Sequence, residues 1–188
     1  EEFFRFQLVM QAIKAENRPI ARGNVKHFST DEVFALAKSL PFQLTSDQQQ
    51  AIMDILRDLS DEKVMMRMLQ GDVGCGKTMV AAFGLYACVL AHKQGAFLAP
   101  TEILARQHCE NLQRLFADHD VRVELLCSSL KPSEKKKVLQ DLANNEIDII
   151  VGTHALFQES VSFYDLGMVV ADEQQRFGVQ QRRQLLEK

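Results

Sequence analysis

The 188-residue sequence predicts an α/β domain with a mainly parallel sheet between helices, and three observations carry that expectation. Strand-like apolar runs alternate with helix-length stretches along most of the chain. Runs such as Ile147-Asp-Ile-Ile-Val151 and Met168-Val-Val-Ala171 lack a lasting polar face, as strands covered on both sides do. Between an apolar run and a helix-forming run lies Gly71-Asp-Val-Gly-Cys-Gly-Lys77-Thr78, which fits the phosphate-loop pattern G-x-x-x-x-G-K-[ST] at every fixed position.

Taken in order, Glu2 to Asn17 places Phe3, Phe6, Leu8, Met10 and Ile13 on one helix face, and Arg18-Pro19 ends it. Ala21 to Thr30 reads as loop, followed by a short helix over Asp31 to Ser39 with Thr30 as candidate N-cap. Leu40-Pro-Phe-Gln-Leu44 breaks that helix. A second one opens under a Thr45 cap and runs to about Leu59, with Ile52, Ile55, Leu56 and Leu59 inward. Val64 to Leu69 reads as the strand ahead of the phosphate loop, and Met79 to Ala91 as a buried crossover helix behind it. Further strands are expected at Ala96 to Ala99, Val121 to Leu126, Ile147 to Val151 and Met168 to Ala171. Helices Glu102 to Phe116 and Ser133 to Asn144 fall between them. Active residues are then expected at the carboxyl ends of the strands.

Composition excludes several classes. Apolar content of 46% is that of a globular domain, and a formal net charge of -3 provides no broad basic field, so a nucleic-acid contact must rest on local donors. The cysteines at 75, 88, 109 and 127 form no C-x-x-C pair, which fits reduced thiols in a cytoplasm better than disulfides or zinc. No apolar run is long enough for a membrane span. The first residues, Glu1-Glu-Phe-Phe-Arg-Phe, contain neither a starting methionine nor a signal-peptide pattern, so the chain reads as a fragment.

The chemistry follows from residue types. In the phosphate loop the backbone must curl with its N–H groups inward, so Gly71, Gly74 and Gly76 stand where a Cβ would obstruct, with Asp72, Val73 and Cys75 contributing backbone. Lys77 supplies a point charge to the phosphates and Thr78 a magnesium ligand. Asp172-Glu173, after the run Met168 to Ala171, reads as the acidic pair that completes such a site. Asp172 would hold Mg2+ directly or through water, and Glu173 would polarise the water attacking the γ-phosphate. Ala99-Pro-Thr101 and Val151-Gly-Thr153-His154 put hydroxyls and free N–H groups at two further strand ends. Such groups can hold a nucleic-acid backbone. Read alone, Thr101 is equally a simple N-cap and Gly152 a turn residue. His27, His92 and His119 read as ordinary surface or core histidines, and Lys135-Lys-Lys137 as a solvated helix face.

With these motifs in order, the chain resembles the superfamily 2 helicases, and among them the RecG family of ATP-dependent motors that remodel branched DNA. The resemblance runs through Leu40-Pro-Phe-Gln-Leu-Thr, Met68 to Thr78, Ala99-Pro-Thr-Glu-Ile-Leu-Ala-Arg-Gln-His108, Gly152-Thr-His-Ala-Leu156 and Asp172-Glu-Gln-Gln-Arg-Phe-Gly-Val179. It implies a RecA-like lobe over residues 40–188, preceded by a linker helix and connecting segment over 1–39 that lead in from a DNA-reading wedge domain. It implies ATP and Mg2+ as cofactors, and branched or single-stranded DNA as partner in a bacterial cytoplasm. Phe42 and Gln48 would recognise adenine, Gly74, Gly76, Lys77 and Thr78 would hold phosphates and Mg2+, and Asp172 and Glu173 would complete hydrolysis. Thr101, Thr153 and His154 would face DNA.

Gln175 departs from the family's usual histidine, and Cys75 from its common serine. The family's third-motif strand, which lies between the phosphate-loop strand and the acidic-pair strand, and its second motor lobe fall beyond Lys188. The lobe is therefore expected to be incomplete, with a slot in its sheet, little ATPase and no unwinding alone. Two other readings are kept. One is a translocase of the transcription-repair coupling type. The other is a non-motor phosphate-loop binding or scaffolding module.

Overall fold

The computed structural model describes residues 25–158 and 160–172. The expected helix over Glu2 to Asn17 lies outside them, as do Glu173, Gln175 and the arginines at 176, 182 and 183. Four strands, β1 (Gln94–Leu98), β2 (Val123–Leu126), β3 (Ile149–Gly152) and β4 (Leu166–Ala171), form one sheet in the order β2-β3-β1-β4. Every pairing is parallel. Each expected run beyond the phosphate loop thus forms its strand, shifted by a residue or two at the ends.

Helices α1 (Thr30–Ala35), α2 (Ser46–Leu59), α3 (Lys77–Leu90), α4 (Glu102–Leu115) and α5 (Pro132–Ala143) cover the sheet. Side-chain alternation sorts the strands into two cores. Phe97 of β1 and Ile149 and Val151 of β3 join Val33, Ile55, Phe83 and Leu112 of the helices on one face. Ala96, Leu98 and Ile150 turn to the other face, where they meet Leu142 of α5 with Ile147 and Leu156. Helix α3 is apolar all round because it lies in the interior, with Val80 to Cys88 buried.

The cap of α1 is Ser29, whose side chain accepts from the Glu32 N–H, and not Thr30, which is the first helical residue. Helix α1 ends after one and a half turns and tightens into a 3-10 turn over Leu36–Ser39. Val33 and Leu36 are fully buried and Phe34 packs against Phe83, ring centroids 6.1 Å apart, so this segment is part of the same core as the strands. Thr45 caps α2 as expected and closes a reciprocal capping box with Gln48.

One expected strand is absent. Val64 to Leu69 forms no strand, although its side chains alternate: Met65 and Leu69 pack on the core while Val64, Met66 and Met68 stand exposed. Arg67 ties the segment to α2 through Asp58 at 2.8 Å and Asp54 at 3.4 Å. The physical reason is the missing ladder. A lone extended segment gains no inter-strand hydrogen bonds, and among the described residues no strand pairs with this one.

Candidate nucleotide-binding site

Every strand points the same way, so their carboxyl ends share one edge of the sheet. Leu98 of β1 is in register with both Gly152 of β3 and Ala171 of β4. Ala99, Thr153 and Asp172 therefore leave the sheet side by side. The row is pinned by hydrogen bonds from Ala99 N to Gly152 O and from Asp172 N to Leu98 O, both 2.9 Å.

The phosphate loop precedes α3. Gly74 and Gly76 have φ of +82° and +86°, a region other residues enter only with strain, so both glycines are required by the curl itself. A Cβ on Gly76 would also lie 2.6 Å from Gln48 Nε2. Gly76 is the N-cap of α3 and provides no side-chain acceptor, whereas Ser29, Thr45 and Thr101 each bond an N–H of their own helix. No acidic residue stands in the first turn of α3. The opening N–H groups and the positive end of the helix dipole are thus left for an anion.

Lys77 is bent back over the loop, its Nζ donating to the carbonyls of Gly71 and Asp72 at 2.8 Å each. Those two acceptors hold the ammonium beside the loop, and phosphate oxygens can replace them. Cys75 is exposed, with its Sγ 3.9 Å from Lys77 Nζ. By contrast, burial pushes the thiols of Cys88 and Cys109 up to about 12.

Gln48 connects the second expected element to the loop. Its Oε1 accepts from Thr45 N at 2.9 Å and its Nε2 donates to Cys75 O at 2.9 Å. Both polar atoms of Gln48 are thus engaged, one by its own helix and one by the phosphate loop. Phe42, 49% exposed, remains free to cover a planar ring.

At the end of β4, Asp172 accepts from His108 Nε2 through its Oδ2, at 3.1 Å. Thr78 and Asp172 are oxygen donors of the kind Mg2+ takes, and among the described residues the Oδ1 of Asp172 accepts no hydrogen bond. The residues present fit the ion. Glu173 lies outside the described residues.

The three residues expected to face DNA separate. Thr101 is exposed and caps α4, accepting from Leu104 N at 3.3 Å. His154 is exposed as well. Thr153 is not at the surface: it is 2% exposed, and its Oγ1 is buried with no hydrogen-bond partner among the described residues, just ahead of the 3-10 turn His154–Phe157. Glu102 has its carboxyl lowered by hydrogen bonds from Ser129 and Ser128. Arg106 reaches Ser129 Oγ at 2.8 Å, so the start of α4 is tied to the loop after β2.

Two residues went unassigned by sequence reasoning. His108 lies on the inward face of α4 with Ala105, Cys109 and Leu112, a spacing that could have flagged it, although nothing in the pattern shows that it meets Asp172. Gln94, 1% exposed, donates from Nε2 to Leu142 O at 2.9 Å and Ile147 O at 2.8 Å, and accepts from Tyr164 N at 2.8 Å through Oε1. A buried glutamine that joins the end of α5 and the stretch before β3 to the segment ahead of β4 leaves no periodic signal. Among the described residues no group of three or more His, Cys, Asp or Glu could hold a metal by itself, and no helix is long and apolar enough to cross a membrane.

A parallel sheet with Asp172 at its carboxyl edge and a helix that opens uncapped behind a glycine loop is the arrangement of a nucleoside-triphosphate-binding domain. Residues 45–188 match the profile of the DEAD/DEAH box helicases, and the chain belongs to that family. Over its full length it is 50% identical to the ATP-dependent DNA helicase RecG of Bacillus subtilis and 48% identical to that of Streptococcus pneumoniae. It spans 28% of the length of either relative. Its fold matches that of RecG bound to a three-way DNA junction with a TM-score of 0.84 and 44% identity, over 94% of this chain and 24% of that one. A hypothetical ATP-dependent RNA helicase from Sulfolobus tokodaii, 17% identical with a TM-score of 0.58 over 78% of this chain, shares the fold.

Proposed function

We propose that this chain is the first motor lobe of an ATP-dependent DNA helicase, the name its RecG relatives carry, and that the parent protein remodels branched DNA. The observation that carries the reading is the uncapped amino end of α3 behind a loop with two positive-φ glycines, together with Asp172 at the carboxyl end of β4. The lobe covers residues 40–188, with 1–39 as linker and connecting segment. ATP would be held at its phosphates by the N–H groups of Gly74 to Thr78 and by Lys77, with Phe42 and Gln48 recognising its base.

Mg2+, held by Thr78 and Asp172, supplies charge neutralisation on the phosphates. Asp172 and Thr78 orient that site, Lys77 holds the β- and γ-phosphate oxygens, and Glu173 takes a proton from the attacking water. Thr101 and His154 meet the DNA backbone from the exposed end of the sheet. Thr153, buried ahead of the turn His154–Phe157, reaches DNA only if that turn opens. The second lobe and a wedge domain of the parent chain complete the motor, which works in the bacterial cytoplasm.

Strand displacement by the full-length protein from a labelled three-way junction tests this reading. It predicts ATP-dependent displacement by the wild type and none by Lys77→Ala. Displacement by Lys77→Ala at the wild-type rate, or none by either protein, contradicts it.

A further inference from the structure

His108 and Asp172 are 64 positions apart in sequence, yet Nε2 of one and Oδ2 of the other meet at 3.1 Å. The histidine side chain is 12% exposed, and its ring lies against Phe97 with centroids 4.7 Å apart and planes inclined by 41°. Nδ1 is buried and bonds nothing among the described residues. The ring's single polar engagement is therefore the carboxylate. An ionised carboxylate only accepts, so Nε2 is assigned as the donor of this bond. A buried polar nitrogen without a partner is a standing cost, and what the fold obtains for it is a fixed Asp172.

We propose that His108 is a positioning residue for Asp172. By occupying Oδ2 it orients Oδ1 toward the magnesium of the nucleotide complex, and Phe97 fixes the ring that does so. The idea rests on the reading of Asp172 as a magnesium ligand. Groups that orient metal-binding carboxylates typically contribute 10–100-fold in metal affinity or activity. The position of His108 adds a consequence. It lies two turns along α4 from Thr101, roughly 10 Å of continuous helix, so a load on the exposed start of α4 is carried to the carboxylate without an intervening loop.

The test is an equilibrium titration of Mg2+ against binding of a fluorescent ATP analogue to the full-length protein, wild type and His108 variants, with thermal melting as the fold control. His108→Leu is expected to raise the half-saturating Mg2+ concentration by about 10–100-fold, with binding in EDTA unchanged. His108→Gln, whose amide N–H reaches as far as Nε2, is expected to return the midpoint to within about threefold of wild type, an allowance set by the scatter of single-contact effects. His108→Asn, one bond shorter, should behave like His108→Leu and replaces it if the leucine variant does not fold.

A folded His108→Leu or His108→Asn with the wild-type midpoint overturns the proposal, as does a folded His108→Gln no better than His108→Leu. Wild-type binding indifferent to Mg2+ removes the functional reading as well. A Mg2+-dependent wild type with unaffected variants removes the His108 role alone.

Discussion

Among the described residues Lys77 donates only within its own loop, to the carbonyls of Gly71 and Asp72 and weakly to Cys75 Sγ, and phosphate oxygens can replace the carbonyls. Its loss should abolish nucleotide binding while leaving the fold intact. Lys77→Ala is expected to melt within about 0.5 kcal/mol of wild type, the range of surface substitutions, while ATP affinity falls beyond detection by calorimetry. The cysteines give a second outcome at this scale. At neutral pH the buried Cys88 and Cys109 thiols, pushed up to about 12, stay protonated and shielded, and thiolate forms there only as pH rises toward that value. Brief maleimide treatment at pH 7 should therefore label the exposed Cys75 ahead of the other three, and ATP should protect it. Mass mapping that finds Cys88 labelled first would contradict the burial described. Gln94→Leu strands the carbonyls of Leu142 and Ile147 and the amide of Tyr164. The expected cost is about 2–4 kcal/mol in chemical denaturation, against a null effect if those segments are independently held.

Among the elements, those with a local cause were legible in the sequence and those needing a distant partner were not. Helix α2 follows from the Thr45-Gln48 capping box, and Thr45→Ala should lower stability by about 1 kcal/mol. A larger loss is expected in ATP affinity, because Gln48 also holds the loop carbonyl of Cys75. A variant that melts early yet binds ATP normally would separate the cap from the site. The strand expected at Val64 to Leu69 has the right residues and even the right alternation, but among the described residues no strand pairs with it. Pattern predicts which face a residue turns, not whether a ladder exists. The α1 cap was misread by one residue for an ordinary reason: Ser29 and Thr30 are both good caps, and only backbone geometry decides between them.

At the scale of the whole molecule, the phosphate loop and Asp172 were readable from motif and strand context, because their chemistry dictates residue type. Their coupling to Gln48 and His108 was not, since those contacts depend on how α2 and α4 cross the sheet. The outer edge of β4 and the exposed Val64, Met66 and Met68 leave apolar surface and unpaired backbone on one side of the described lobe. Residues 1–188 alone should self-associate at micromolar concentration, and a monodisperse monomer in sedimentation would contradict this. The central claim is that the site at this sheet edge powers work on branched DNA. Its most direct test is steady-state ATP hydrolysis by the full-length protein, titrated with a three-way junction and with linear duplex of equal length. The account predicts stimulation by the junction well above that by the duplex, lost in Lys77→Ala. Hydrolysis indifferent to DNA, or stimulated equally by both forms, would contradict it.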